Sequence, residues 1–341
     1  MQIDFRSDTV TQPSVAMKEF MFQAPLGDDV FGEDPSIAHL ESETAKTFGH
    51  EAGLFCPSGT MANQIAIAAH TRPREEVICH KNSHIYLYEG GGPAFLSSVS
   101  LRLLDGDLGR ITAEQIEEHI NPENVHFPRT RLVSLENTMN KGGGSCYDLG
   151  EIRKIKSITQ KFGLALHLDG ARIFNACIAK GYSPLEIGKE FDSISICFSK
   201  GLGAPVGSVL VGSNPFIQEA RRIRKVLGGG MRQAGILASA ALYALKNNVA
   251  RLADDHRRAK EMELVLMKCT WIESILPVET NLIVFEVKKA FTGASIIDQL
   301  SALGIRCAGF GKSHVRFVYH LDITEEQHQV ALKTVQTFSP R

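Results

Sequence analysis

ISICFSKGLGAPVGSVLVG, residues 194–212, is an apolar run rich in β-branched residues that ends at Ser199 and Lys200 and continues into glycines. The pattern predicts a buried strand, a lysine at its end, a glycine-rich loop and a second strand. Burial favours the neutral amine of a lysine over the ammonium form, and a neutral amine attacks carbonyl carbons. We therefore interpret Lys200 as a Schiff-base lysine, and the alternative is a surface lysine in the turn after an edge strand.

A second short apolar run predicts a strand that ends at an acid. Residues 165–172 read ALHLDGAR, so Asp169 precedes Lys200 by 31 residues, about the length of one strand-helix-strand unit. Both side chains are therefore expected side by side at the carboxyl edge of a parallel sheet, where ligands bind. An aspartate that keeps a pyridine nitrogen protonated and a lysine that forms an imine suit pyridoxal 5'-phosphate. Taken alone, Asp169 would be interpreted as a helix N-cap.

A small polar turn before a helical pattern is the third candidate site. Residues 57–60, PSGT, stand between an apolar segment and the helical residues 61–70. Backbone N–H groups and the positive end of the helix dipole would hold a phosphate there. Taken alone, this turn would be interpreted as an ordinary N-cap, and the presence of Lys200 and Asp169 favours the phosphate site. His84 follows another predicted strand, and its position leaves open whether it stacks on a cofactor ring or is a hydrogen-bonded loop residue.

The order of the predicted elements indicates the fold class. Strand and helix patterns alternate through most of the chain, which predicts an α/β fold with a doubly wound, mostly parallel sheet. The chain has 341 residues and 43% hydrophobic content, and it exceeds the usual size of one domain. We predict a large cofactor-binding domain with an N-terminal arm over residues 1–248 and a smaller C-terminal α+β domain over residues 249–341. Two charged segments, residues 27–35 and 217–226, are interpreted mainly as solvated surface.

Composition argues against several classes of protein. The formal net charge of −1 gives no support for a nucleic-acid or membrane partner. Seven cysteines are scattered without a C-x-x-C pair, which argues against a disulfide framework or a zinc site, and we expect no metal. The N-terminal sequence MQIDFRSDTV lacks the apolar core of a signal peptide. We expect a cytoplasmic protein without membrane-spanning segments.

Eight motifs occur along the chain in the order in which low-specificity L-threonine aldolases carry them. They are RSDTVT (6–11), GDDVFGEDP (27–35), PSGTMANQ (57–64), the loop around His84, SLENT (134–138), HLDGAR (167–172), SKGLGAPVGS (199–208) and GGGMRQ (228–233). The chain resembles this family nearly from end to end. The resemblance implies a pyridoxal 5'-phosphate enzyme of the aspartate aminotransferase fold that cleaves L-threonine and L-allo-threonine to glycine and acetaldehyde. It also implies a homotetramer, a dimer of dimers with its sites at subunit interfaces.

The resemblance further implies roles for individual residues. The implied cofactor contacts are Lys200 as the Schiff-base lysine, Asp169 at the ring nitrogen, His84 on the ring, Ser58, Gly59 and Thr60 at the phosphate, Arg172, and Arg232 reaching the phosphate of a neighbouring subunit. The implied substrate contacts are Ser7, Arg172 and Arg316 at the carboxylate, His126 near the hydroxyl, and Phe31 and Tyr88 in the pocket. Two positions depart from the family pattern: Phe31 stands where many relatives carry tyrosine, and Lys141 and Gly142 follow Asn140 in a variable region.

The residue types are consistent with the implied chemistry. Two guanidinium groups on one carboxylate would set the Cα–Cβ bond perpendicular to the imine plane, so that its electrons enter the ring. The β-hydroxyl must lose a proton, and the sequence leaves His84, His126 and a bound water open as the base. A β-eliminating lyase or an aminotransferase would share Lys200 and Asp169, and a non-enzymatic protein on the same fold is a further alternative. A nicotinamide dehydrogenase is poorly supported, because the glycines of residues 201–207 do not form the dinucleotide fingerprint.

Overall fold

The computed structural model describes residues 2–341. Its strands are β1 (Ile3–Asp4), β2 (Ala52–Cys56), β3 (Glu76–His80), β4 (Ser100–Leu104), β5 (Thr130–Glu136), β6 (Ala165–Gly170), β7 (Ser193–Cys197), β8 (Ser208–Gly212), β9 (Ile272–Ile275), β10 (Leu282–Val287), β11 (Ile305–Arg306), β12 (Ala308–Gly309) and β13 (His314–Val318). Its helices are α1 (Val15–Phe22), α2 (Pro35–Phe48), α3 (Gly59–His70), α4 (His84–Leu87), α5 (Gly92–Ser97), α6 (Ala113–Glu118), α7 (Leu149–Phe162), α8 (Ile173–Lys180), α9 (Pro184–Gly188), α10 (Asn214–Val226), α11 (Gly235–Asn247), α12 (Leu252–Leu266), α13 (Gly293–Ala302) and α14 (Glu325–Thr337).

Seven strands form the central sheet in the order β2-β8-β7-β6-β5-β3-β4. The pairs within β7-β6-β5-β3-β4 are parallel, whereas β8 is antiparallel to both β2 and β7. Alternation along β8 places Val209 and Val211 in a core shared with α2 and α11, and Leu210 in a core shared with α3 and α10. Helices therefore cover both faces of the sheet, which confirms the predicted doubly wound, mostly parallel arrangement.

Three parallel strands bring polar side chains to one edge of this sheet. Glu136 lies opposite Asp169 in the register of β5 and β6, and Asp169 lies opposite Ser195 in the register of β6 and β7. Lys200 follows the end of β7 after a short turn. The prediction that two neighbouring parallel strands deliver an acid and a lysine to the same edge is therefore confirmed.

The C-terminal part of the chain has a separate sheet and a separate core. Strands β12-β13-β10-β9 form an antiparallel sheet, and Phe285 and Phe317 pack in the core beside it. The N-terminal arm joins this core, because β1 pairs in parallel with β11 and Phe5 stacks on Phe317 with ring centroids 5.1 Å apart. The division at residue 248 stays a prediction, and the arm contacts the C-terminal core.

The two segments predicted as mainly solvated surface are largely exposed, but one charged side chain of each pairs with the other in the interior. Arg224 of α10 donates to Oδ2 of Asp29 at 2.6 Å and to the carbonyl oxygen of Phe55 at 2.7 Å. Both charged side chains are buried. Their burial is tolerated because each charge faces an opposite charge. The hydrophobic periodicity of either segment alone does not reveal that such a partner is present.

The cysteines form no disulfide bonds among residues 2–341. All seven cysteines are unpaired thiols, six of them buried and Cys269 partly exposed. None of the helices in residues 2–341 is both long enough and apolar enough to span a membrane.

Candidate active site

A cleft of about 520 Å³ opens at the edge of the central sheet where β5, β6 and β7 end. Helix α3 begins on it, and the N-terminal arm and β13 border the opposite side. The predicted site residues that line this cleft are Ser7, Ser58, Gly59, Thr60, His84, Tyr88, Asp169, Arg172, Lys200 and Arg316. The fold therefore brings together residues from both ends of the chain.

Lys200 extends into the cleft beyond the end of β7. Its Nζ donates to Sγ of Cys197 at 3.3 Å. Burial disfavours the ammonium form, but the negative charges of Cys197, Asp8 and Asp169 outweigh that effect and raise the pKa of Lys200. The same ammonium lowers the pKa of Cys197, although burial alone would raise it. The expectation that burial leaves this amine neutral is therefore wrong, because anionic groups surround it.

Asp169 accepts hydrogen bonds on both of its carboxylate oxygens. Asn63 donates to Oδ2 at 2.8 Å, and the backbone N–H of Ala171 donates to Oδ1 at 3.1 Å. Only 3% of the residue surface is exposed. A buried carboxylate that is held at both oxygens has one orientation, which suits a single cationic partner such as a protonated ring nitrogen.

His84 lies between two buried glutamates. Its Nδ1 is 2.8 Å from Oε1 of Glu89, and its backbone N–H donates to Oε2 of Glu136 at 2.7 Å. Burial alone would lower the pKa of His84, but the hydrogen bond to Glu89 and the charges of Asp169 and Glu136 raise it. Burial, together with the charge of Asp169, raises the pKa of Glu136 to about 7. The imidazole therefore reaches the cleft with Nδ1 engaged and Nε2 left for a ligand.

Two guanidinium groups lie at the opposite end of the cleft. Arg172 is buried and makes two hydrogen bonds of 2.7 Å to Asp8, which holds the pKa of Asp8 at about 2 although burial alone would raise it. Arg316 donates to Oδ1 of Asn140 at 3.0 Å and to the carbonyl oxygen of Arg6 at 2.9 Å. Its buried Nε has no partner among residues 2–341. Burial and the charge of Arg172 lower the pKa of Arg316, so this end of the cleft favours a further anion.

The N-terminus of α3 forms a third wall of the cleft. Ser58 caps this helix by accepting from the backbone N–H of Met61 at 3.2 Å. Gly59 and Thr60 follow in the first helical turn and also line the cleft. The backbone N–H groups of this turn have no partner within the helix and form a donor set that holds an anion.

Three predicted site residues do not line this cleft. His126 lies on the loop between α6 and β5, beside a separate cavity of about 590 Å³ that Arg72 also lines. Phe31 is 74% exposed, and the guanidinium of Arg232 lies 5.8 Å from its ring and bonds Asp28 at 3.0 Å. All three belong to surface segments of this chain, so their assigned roles stay predictions.

The structure adds polar residues that the sequence patterns did not single out. They are Asp8, Asn63, Glu89, Glu136, Cys197 and Ser199. Asn63 and Glu136 lie inside the motifs PSGTMANQ and SLENT, so examining every polar position of those motifs would have found them. Asp8 likewise lies inside RSDTVT, but its pairing had no local signal, because its partner Arg172 is 164 positions away in the chain.

Comparison with known protein families matches residues 4–290 to the family described as beta-eliminating lyase. The chain belongs to the beta-eliminating lyase family. The chain is 43% identical over 326 residues to the low specificity L-threonine aldolase of Escherichia coli (strain K12), covering 95% of this chain and 96% of the relative. It is 42% identical over 341 residues to low-specificity L-threonine aldolase 1 of Arabidopsis thaliana, covering 98% of this chain and 95% of the relative. The resemblance to low-specificity L-threonine aldolases is confirmed.

The fold of the chain also matches solved structures. A threonine aldolase structure from Leishmania major superimposes with a TM-score of 0.84 at 20% identity, covering 98% of each chain. A putative L-allo-threonine aldolase from Listeria monocytogenes superimposes with a TM-score of 0.81 at 23% identity, covering 98% of this chain and 95% of the other. At these identities the likeness confirms the fold alone.

The cleft fits pyridoxal 5'-phosphate. Lys200 offers an amine for the aldehyde, and Asp169 offers an oriented carboxylate for the ring nitrogen. Ser58, Gly59 and Thr60 line the cleft at the first turn of α3, where backbone N–H groups without a partner in the helix suit a phosphate.

Proposed function

We propose that this protein is a pyridoxal 5'-phosphate-dependent, low-specificity L-threonine aldolase, which cleaves L-threonine and L-allo-threonine to glycine and acetaldehyde. The observation that carries the proposal is that Lys200 and Asp169 line one cleft from neighbouring strands, together with Arg172 and Arg316. The substrate is supported by the names of the relatives, which are threonine aldolases at 42% and 43% identity.

The residues that would hold the cofactor divide by the part of it they contact. They are Lys200 at the aldehyde, Asp169 at the ring nitrogen, His84 on the ring face, and Ser58, Gly59 and Thr60 at the phosphate. When bound, the cofactor supplies an electron sink for the pair released from the Cα–Cβ bond. The protein supplies binding, orientation and proton transfer.

The two arginines orient the substrate through its carboxylate. Arg316 has a buried Nε without a partner in residues 2–341, and Arg172 is held in place by Asp8. A carboxylate between them would relieve the repulsion of two buried positive charges and would fix the substrate by more than one hydrogen bond. Fixing the carboxylate fixes the Cα–Cβ bond, and the orientation of that bond decides which bond breaks.

The residue that best suits removal of the hydroxyl proton is His84. Of the two histidines that the sequence left open as bases, His84 lines the cleft, whereas His126 lies beside another cavity. Nδ1 of His84 bonds to Glu89, so Nε2 is the nitrogen available to accept a proton from the β-hydroxyl. Glu89 stabilises the imidazolium that results, as a buried carboxylate beside a histidine does.

Assembly and location are further parts of the proposal. We infer a homotetramer in which a second copy brings Arg232 to the cleft, because Arg232 and the ring of Phe31 beside it lie exposed on the surface of this chain. Seven free thiols support a reducing compartment such as the cytoplasm.

The proposed reaction is tested by assaying the purified protein with pyridoxal 5'-phosphate and each threonine diastereomer. Acetaldehyde is followed by coupled reduction, and glycine is measured directly. Lys200→Ala should lose the visible absorbance of bound cofactor and lower turnover by orders of magnitude, because no other group replaces the amine. Lys141→Ala, which changes the other lysine of the cleft, should retain that absorbance. Formation of pyruvate or transfer of the amino group, without glycine, would reject aldol cleavage in favour of the β-eliminating or transaminating alternatives.

A further inference from the structure

A line of buried polar side chains runs from Asp169 to the far end of α3. Asn63 donates to Asp169, and Nε2 of His167 lies 3.3 Å from Oδ1 of Asn63. Nδ1 of His167 lies 2.8 Å from Oγ of Ser193, and Nε2 of His70 lies 2.8 Å from the same hydroxyl. Asn63, His167, Ser193 and His70 are called the donor chain below.

The donor chain lies between α3 and the central sheet. Asn63 lies in the second turn of α3 and His70 is its last residue, and His167 and Ser193 lie opposite each other in the register of β6 and β7. Asn63, His167 and Ser193 are buried, and His70 is half-buried at the outer end. The chain of hydrogen bonds therefore extends from the cleft to the protein surface.

The direction of each hydrogen bond in the donor chain follows from its inner end. The amide nitrogen of Asn63 faces two carboxylates, at 2.8 and 2.9 Å, so both of its hydrogens are donated. The amide oxygen must then accept, which places the proton of His167 on Nε2. Nδ1 of His167 accepts from the hydroxyl of Ser193, which accepts from Nε2 of His70. Every donor therefore points toward Asp169.

The donor chain carries no charge of its own at neutral pH. Burial lowers the pKa of His167 to about 3 and that of His70 to about 4, so both rings are neutral. Aligned neutral donors polarise one another and stabilise the carboxylate at their end without cancelling its negative charge. A lysine or arginine in the same place would pair with Asp169 and remove the charge that a ligand needs.

We propose that the donor chain positions Asp169 for the cofactor ring nitrogen, so that Asn63, His167, Ser193 and His70 are positioning residues of this enzyme. The inference rests on the proposed function, because Asp169 requires a ring nitrogen as its partner. It assigns a role to four residues outside the cofactor contacts, one of them a half-buried histidine at the far end of a helix.

Variants of His167 test the donor chain directly. His167→Leu removes both ring nitrogens, whereas His167→Gln keeps one donor and one acceptor and is the matched control. We expect the dissociation constant for pyridoxal 5'-phosphate to rise about tenfold in His167→Leu and to stay within about threefold of wild type in His167→Gln. The visible band of the bound cofactor should titrate at a different pH in His167→Leu alone. Equal affinities and equal titrations in all three proteins would overturn the proposal.

Ser193→Ala and His70→Phe interrupt the donor chain farther from Asp169. They test the proposal even if His167→Leu does not fold. His70→Phe removes the N–H but keeps an aromatic ring against Phe216, on which His70 stacks with centroids 4.4 Å apart. Cofactor affinity should fall more in Ser193→Ala than in His70→Phe, because polarisation weakens with each bond. The free energy of unfolding of the same proteins, measured without added cofactor, shows how much each substitution destabilises the fold itself.

The failure of this proposal is distinguishable from the failure of the proposed function. A wild-type protein that binds no pyridoxal 5'-phosphate would reject the function. A wild-type protein that binds the cofactor, with unchanged affinity in Ser193→Ala and in His70→Phe, would reject only the donor chain.

Discussion

Asp8 and Arg172 show how a single ion pair shapes the cleft. Both side chains are buried, and two hydrogen bonds of 2.7 Å join them. Neither charge has water to stabilise it, so each depends on the other. The pair fixes the guanidinium that lines the cleft, and it explains why an acid near the N-terminus is buried beside a strand end in the middle of the chain.

Asp8→Asn should therefore destabilise the protein by about 3 kcal/mol at pH 7, because it leaves the Arg172 charge buried and unpaired. Urea unfolding measures the change. Asp105→Asn is the matched control, since its ion pair with Lys81 is exposed, and it should leave the free energy of unfolding nearly unchanged. Equal changes in the free energy of unfolding for the two substitutions would contradict the claim that the buried pair of Asp8 and Arg172 stabilises the fold.

The pH dependence of this pair has a definite sign. The pKa of Asp8 is about 2 in the folded chain, below its ordinary value of 3.8, so the carboxylate contributes stability above about pH 4. That contribution is lost as the pH falls toward 2, and it should be missing at every pH in Asp8→Asn. The difference in unfolding free energy between the two proteins should therefore shrink on acidification.

Which residues the sequence could predict depended on how far away their partners lie. Lys200 and Asp169 stand at the ends of apolar runs, so local pattern was sufficient to place them. The charge state of Lys200 was mispredicted, because Asp8 and Asp169 approach it from other segments. The donor to Asp169 was not predicted, because Asn63 is 106 positions away.

At the scale of elements, Asp34 joins two helices. It is the N-cap of α2, where Oδ1 accepts from the backbone N–H groups of Ser36 and Ile37 at 3.0 Å each. Its Oδ2 accepts from the buried N–H of Gly235, the first residue of α11, at 3.0 Å. One carboxylate therefore satisfies donors at the beginning of two helices that pack together.

Asp34→Ala should cost more than the removal of an ordinary cap, about 2 to 3 kcal/mol, because a buried N–H of a second helix also loses its acceptor. Ser14→Ala, which removes the single-bond cap of α1, is the matched control and should cost about 1 kcal/mol. Denaturant unfolding of both variants compares the two. An Asp34→Ala variant no less stable than Ser14→Ala would show that the contact to α11 contributes nothing.

The elements themselves were largely predictable, whereas their packing was not. Apolar runs and small polar turns predicted β6, β7 and α3, which carry most of the cleft. The burial of Arg224 against Asp29 was not predicted. A helix with several charged residues has the same sequence pattern whether all of them are exposed or one of them forms a buried ion pair. Similarly, the sequence predicted an N-terminal arm but not the pairing of β1 with β11.

At the scale of the whole molecule, the proposed sharing of sites between subunits is testable by mixing inactive variants. Lys200→Ala lacks a cleft residue, and Arg232→Ala lacks a residue assigned to the neighbour's site. Random reassembly should restore about a quarter of wild-type activity, because hybrid dimers contain one intact site. A mixture of Lys200→Ala and Asp169→Ala is the control and should restore nothing, since both residues line the same cleft. No recovery in the first mixture would place Arg232 outside the site.

The measurement that tests the central claim most directly is chemical reduction of the protein loaded with pyridoxal 5'-phosphate, followed by peptide mapping by mass spectrometry. Borohydride makes the bond between cofactor and lysine permanent. We predict that the added mass of the reduced cofactor is found on the peptide that contains Lys200, and that Asp169→Ala weakens loading without moving the label. A label on another lysine, or no label on a folded protein, would contradict the placement of the cofactor between Lys200 and Asp169.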